Sequence, residues 1–164
     1  MADVWNADIG THYYNPDREQ YQAAVLEQYK LYADMADRIS ARRAATNTFF
    51  LGLNTAVLTV VGILWRNKPS GSPALLVAPL LLLLVLCLAW FLLIRSYRQL
   101  NSAKYAVIGS LEERLPASPY RSEWTVLDRG TKRATYWPLS KVEQWIPVIF
   151  ASAYVAGFCA VVLP

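Results

Sequence analysis

The chain has 164 residues, a hydrophobic content of 55%, only 17% charged residues and a formal net charge of +4. A water-soluble domain of this length carries roughly 25% charged residues and has no place for so much apolar surface. Composition therefore excludes a disordered chain, an acidic tail protein and a disulfide-stapled secreted module. Cys87 and Cys159 both stand in apolar runs, where a thiol reads as a small hydrophobe.

In chain order, residues 1–15 form a polar arm without an apolar run, and the charges scattered over the first 40 residues predict a retained N-terminus rather than a cleaved leader. Asn15, Pro16 and Asp17 then read as a helix start, with a cap, a first-turn proline and an acid at the positive dipole end. Apolar positions recur at Tyr21, Val25, Tyr29, Tyr32, Met35/Ala36 and Ile39, which is helical spacing and predicts a cytoplasmic helix over 16–45. Nothing interrupts it before an uncharged run that predicts a first transmembrane span over 46–65. A short periplasmic loop over 66–73 follows. The strongest signal comes next: residues 74–94 hold no charge and 11 leucines, enough helix to cross about 30 Å of hydrocarbon. The second span is expected to continue as a cytoplasmic helix over 95–115, with Tyr97, Leu100, Lys104, Val107/Ile108, Leu111 and Leu115 at 3–4 spacing until Pro116 stops it.

Residues 116–140 read as a connector. Ser118-Pro119 predicts a short helix bearing Trp124, Val126 and Leu127, Asp128-Arg129-Gly130 predicts a turn, and Tyr136 and Trp137 are expected to pack this segment onto the helical pair. Ser140 and Glu143 have capping-box spacing, which starts a third span over 141–164 at Lys141. The fold class is thus all-α: three transmembrane helices, the first two extended into a cytoplasmic helical hairpin.

Orientation follows from charge. Of 16 Lys and Arg, 14 lie before Thr46 or between Arg95 and Glu143, as do all 12 Asp and Glu. The positive-inside rule then places the N-terminus in the cytoplasm and the C-terminus in the periplasm. Trp65, Trp90 and Trp145 fall at the expected interfaces, where an indole N–H stays wet. A pI near 9.1 invites a nucleic-acid reading. The excess of basic residues flanks the spans, however, so anionic headgroups at the cytoplasmic face are the expected partner and nucleic acid is not.

Two kinds of site residue stand out. Gly52, Thr55 and Gly62 on the first span, with Ala153 and Gly157 on the third, are small residues that let helix backbones approach, so they are candidate oligomer contacts. The leucine-rich second span has no such stripe and is expected to face lipid more often. Asn47 and Asn54 share a side of the first span and must point at protein or water; inter-helix hydrogen bonding is favoured over lining a pore. Tyr154, at mid-span, likewise needs a partner. Counting along an antiparallel pair brings Arg95 near Arg43 and predicts ion pairs Asp34–Lys104 and Asp37–Arg98.

No catalytic set, cofactor loop or metal cluster is expected: the single His12 lies in the polar arm and the seven glycines are scattered. Uncharged spans also argue against proton coupling and voltage sensing. The expectation is a protein that is not an enzyme.

The stretches LEQYKLYADMADRISARRAATNTFF (26–50), SYRQLNSAKYAVIGSLEERLPASPYRSEW (96–124) and WPLSKVEQWIP (137–147) resemble the hallmark segments of small bacterial membrane proteins of the RipA type. That resemblance implies an inner-membrane homo-oligomer, described as octameric, with a poorly defined activity. A looser similarity is to the SLATT group of two-helix membrane modules, proposed as pore-forming effectors, which share the long helix leading into a hairpin. The expected function is a scaffold or regulator acting through a cytoplasmic helical crown; the alternative is an oligomeric gated pore lined by polar residues of the first span.

Overall fold

The computed structural model describes residues 19–66, 76–126 and 139–162. Every regular element among them is helical: α1 (Glu19–Arg66), α2 (Val77–Glu112), α3 (Pro119–Val126) and α4 (Leu139–Val162). The expected arm, the Asn15-Pro16 helix start, the periplasmic loop and the Asp128-Arg129-Gly130 turn lie outside the described residues, as do Tyr136 and Trp137. Three helices, α1, α2 and α4, are long and apolar enough to cross a membrane.

Both long helices present a seam at alternating three- and four-residue spacing. On α1, buried Val25, Ala36, Ile39, Phe50 and Asn54 fall in line with half-buried Tyr29, Tyr32, Arg43 and Asn47. On α2 the seam runs Leu83, Cys87, Trp90, Ile94, Tyr97, Asn101, Lys104, Ile108 and Leu111. Near 3.5 residues per repeat is the period at which one helix face stays turned toward a partner. Leu100, expected in this seam, is exposed, and Asn101 takes the place. The Asn101 Oδ1 is buried without a partner among the described residues, a polar interruption of the kind that fixes register at a cost in stability.

The chain forms two compact units. Unit 1 comprises Met1–Ser40 with Gln99–Trp137, and unit 2 comprises Ala41–Arg98 with Pro138–Pro164. In unit 1, Val25, Ala36 and Ile39 of α1 are buried, as are Ile108 and Leu111 of α2. Helix α2 stops at Glu112, earlier than the expected Leu115. Pro116 disfavours helical geometry in the residue before it, and the last turn closes through Arg114 N–H to Leu111 O and Leu115 N–H to Glu112 O, i to i+3 bonds of 3.1 and 3.0 Å. Helix α3 buries none of its side chains.

Unit 2 is a three-helix arrangement of α1, α2 and α4 around aromatic rings. Phe50 and Trp90 stack with centroids 5.9 Å apart, Trp90 meets Phe150 at 5.9 Å, and Phe150 meets Tyr154 at 5.9 Å. Such pairs contribute about 0.5–1.5 kcal/mol each beyond area burial. Ile94, Leu83 and Cys87 complete the two apolar clusters. Pro147 lies within α4 and is fully buried. A proline inside a span is tolerated where neighbouring groups re-satisfy the backbone.

The second span turns Leu83, Cys87, Trp90 and Ile94 inward, a larger buried share than the first or third span has. Its outer face carries the leucines Leu81, Leu82, Leu88 and Leu92. Trp90 does not keep its indole N–H wet as expected. It is buried, and its N–H bonds to protein instead of water.

Candidate functional site

Polar side chains inside unit 2 are few, and the seam of α1 brings them together. The Asn54 side chain is fully buried. Its Nδ2 donates to Phe50 O at 2.8 Å, and its Oδ1 accepts from the Tyr154 hydroxyl at 3.0 Å and from the Cys87 thiol at 3.7 Å. One amide thus joins all three long helices. Seven residues earlier, Asn47 Oδ1 accepts the Trp90 indole N–H at 2.9 Å. Both asparagines are turned into the protomer, so Asn54 is removed from any pore wall or subunit contact, and Asn47 is committed to α2. The physical reason is the phase of α1: positions 47, 50 and 54 share the side that Trp90 and Tyr154 occupy.

The remaining polar residues of the spans need no neighbour. Thr46, Thr48, Thr55, Thr59 and Ser152 each donate to the carbonyl four residues back, at 2.8–3.2 Å. Self-satisfied hydroxyls can face apolar surroundings at little cost. Gly52 and Thr55 are exposed on α1, and a Cβ added at Gly52, Gly62 or Gly157 would meet no atom within 4 Å. Packing within the protomer therefore does not demand glycine there. Gly62, Ala153 and Gly157 come together along an apolar groove of about 300 Å³ that also touches Leu58, Leu80 and Leu83.

At the opposite end of unit 2, Arg43 Nε approaches Glu143 Oε2 at 3.0 Å, with side chains 15% and 14% exposed. The atoms are off hydrogen-bonding alignment, so the contact is Coulombic. Next to it, Arg98 donates to Gln144 Oε1 at 2.7 Å. Glu143 thus closes α4 onto α1 instead of capping its own helix, which already includes Leu139 and Ser140. Arg95 is exposed and Trp145 is 65% exposed.

Among the described residues neither expected ion pair forms. Asp34 pairs with Arg38 on its own helix at 3.3 Å, in solvent. Lys104 lies over the Tyr32 ring at 5.2 Å with its Nζ 3.8 Å from Met35 Sδ. The counting places Lys104 at the right level, but Asp34 stands two residues from both Tyr32 and Ala36, which is the far side of α1. Asp37 is one residue off the seam and exposed, and Arg98 is taken by Gln144.

The residue that sequence reading missed is Glu112. It is fully buried and accepts the backbone N–H of Tyr120 at 2.9 Å and of Arg121 at 3.1 Å, capping α3 in place of the Ser118 side chain. Tyr29 donates its hydroxyl to the same carboxylate at 3.3 Å, and Arg114 bonds to Tyr21 nearby. Burial, then the Glu112 charge and the bond donated to it, then Tyr120, push the Tyr29 phenol up to about 12. The Tyr120 phenol is also raised, first by burial and then by Asp37, Glu123 and Glu112. The signal in the sequence was an acid six residues before Ser118-Pro119, close enough to fold back onto the first N–H groups of a helix.

Among the described residues no three His, Cys, Asp or Glu side chains gather to hold a metal ion. Long apolar helices joined by internal amide, indole and phenol bonds define a multi-span α-helical membrane protein. Residues 26–163 match the octameric membrane protein family (8xMP), and the chain belongs to that family. No curated protein and no solved structure matches the chain.

Proposed function

We propose that the chain is a non-enzymatic homo-oligomer of the bacterial inner membrane, assembled from eight copies, and that it works as a scaffold or regulator through its helices outside the bilayer. The N-terminus and unit 1 are cytoplasmic in this reading, because the basic residues flanking the spans cluster on that side. Its surroundings are lipid, with anionic headgroups at the cytoplasmic face, and its partners are further copies and a protein that docks on unit 1.

The observation that carries the reading is the direction of the polar side chains in the spans. Asn54, Tyr154 and Asn47 are spent on bonds within one protomer, while the small residues Gly52, Gly62, Ala153 and Gly157 remain open to neighbours. That distribution favours close helix packing between copies over a wetted conduit. Unit 1 supports the docking role: Leu31, Leu100, Trp124 and Val126 are exposed apolar side chains outside the spans, Val126 to 80%.

Purified protein reconstituted into dye-loaded vesicles tests this. The expected result is vesicles as tight as protein-free ones, with eight-copy particles in native mass spectrometry. Ion or dye flux from vesicles carrying intact particles, absent from protein-free vesicles, would establish the pore alternative.

A further inference from the structure

Charge is divided unevenly between the two units. By sequence, unit 1 holds nine basic and eleven acidic residues, whereas unit 2 holds seven basic residues and a single acid, Glu143, a formal +6. Five of the seven, Arg42, Arg43, Arg95, Arg98 and Lys141, flank the same ends of the three spans, where Glu143 also lies. That rim carries a formal +4.

Glu143 is already spent on Arg43 at 3.0 Å. Arg42, Arg95 and Arg98 are exposed and make no ion pair among the described residues; Arg98 reaches only the neutral amide of Gln144. Neither α1 nor α2 offers an acid within four positions of any of the three, so the helices cannot supply i±3 or i±4 partners. Exposed Trp145 marks the same level with an indole suited to the headgroup layer.

We infer that anionic phospholipid headgroups of the inner leaflet bind at this rim through Arg42, Arg95 and Arg98, and that their binding controls assembly of the ring. The inference rests on the reading that several copies share one orientation. Copies in a common orientation close about an axis normal to the bilayer, which brings every rim to the same depth. Eight rims would then hold a formal +32 in one band. The only acid in unit 2 is consumed within each protomer, so a neighbour's unit 2 offers nothing to offset this. Headgroup phosphates do, and the planar arginine fork matches them in two-point contacts. Assembly is thereby set by the lipid composition of the membrane.

The test uses the full chain in phosphatidylcholine bilayers with and without phosphatidylglycerol, with octamer fraction and retained lipid read by native mass spectrometry. Expected is a several-fold higher octamer fraction with phosphatidylglycerol, and retention of that lipid through detergent washing. The Arg42→Gln/Arg95→Gln variant should lose the retained lipid and should assemble in phosphatidylcholine alone about as well as the wild type does with phosphatidylglycerol. Arg66→Gln, at the other end of α1, should keep the lipid dependence. An octamer fraction indifferent to phosphatidylglycerol, or a double variant that still depends on it, overturns the headgroup role alone. Rescue in phosphatidylcholine by soluble inorganic phosphate would overturn the commitment to lipid. A monomer in every lipid would instead overturn the assembly reading beneath it.

Discussion

Units 1 and 2 draw on the same two long helices with the same seam spacing, yet different groups hold each together. In unit 2 the seam residues are rings and amides: Phe50 on Trp90, Trp90 on Asn47, Tyr154 on Asn54. In unit 1 the buried seam residues are aliphatic, set beside half-buried Tyr29 and Tyr32 and a buried carboxylate that gathers a phenol and two backbone amides. The contrast follows from solvent. Lipid gives apolar side chains no reason to prefer protein, so packing shape and hydrogen bonds decide in unit 2. In water, burial of Val25, Ile39, Ile108 and Leu111 already drives unit 1 together.

The largest break in this comparison should come from Trp90→Ala. Trp90 touches Phe50, Phe150 and Asn47, and its loss leaves a cavity and an unpaired amide, at a cost of about 3–5 kcal/mol. Unfolding in mixed micelles should show that loss, while amide exchange in unit 1 stays slow. Equal loosening of both units would show that they do not respond separately.

Glu112→Ala should do the reverse. Removing a fully buried acceptor of two backbone N–H groups costs about 1–3 kcal/mol. Hydrogen exchange at Tyr120 and Arg121 should accelerate, with the unit 2 helices unchanged. Protection of those two amides equal to wild type would mean that another group caps α3.

Alkaline titration sharpens the difference further. Because the Tyr29 phenol is raised from 10 to about 12, the folded state holds its proton where the unfolded chain releases it. Its contribution is complete below pH 10 and is lost as pH rises through 12. Stability of unit 1 should fall over that window, and Tyr29→Phe should flatten the fall. The phenolate absorbance that this variant removes from the titration should be the high-pH component.

The smallest expected effect concerns Asp34 and Lys104. Since Asp34 meets Arg38 in solvent and Lys104 lies over Tyr32, a double-mutant cycle on Asp34 and Lys104 should give coupling below about 0.3 kcal/mol. Coupling near 1 kcal/mol would restore the pairing expected from the sequence.

The same residues separate what the amino-acid order discloses from what it conceals. Helical phase outside the spans is legible because polar and apolar residues alternate there: Val25, Ala36 and Ile39 fall where the spacing puts them. Within 74–94 a helix apolar all round carries no phase, so nothing in the order distinguishes buried Leu83 from exposed Leu82. The need of Asn54 and Tyr154 for partners is legible from the cost of a bare amide or hydroxyl in hydrocarbon. That each satisfies the other is not, since 100 residues separate them. Glu112 escapes notice because a carboxylate in the pair Glu112-Glu113 before a turn looks solvated until the N–H groups of α3 are seen around it.

The hydroxyls of α1 bear on biogenesis. Thr48, Thr55 and Thr59 close their bonds on their own helix, and Asn54 closes its bonds inside the protomer. A freshly inserted polypeptide therefore exposes no polar group among these that only a sister copy could satisfy. For these groups, then, insertion into lipid need not wait for a second copy, and a protomer can satisfy them before it joins others.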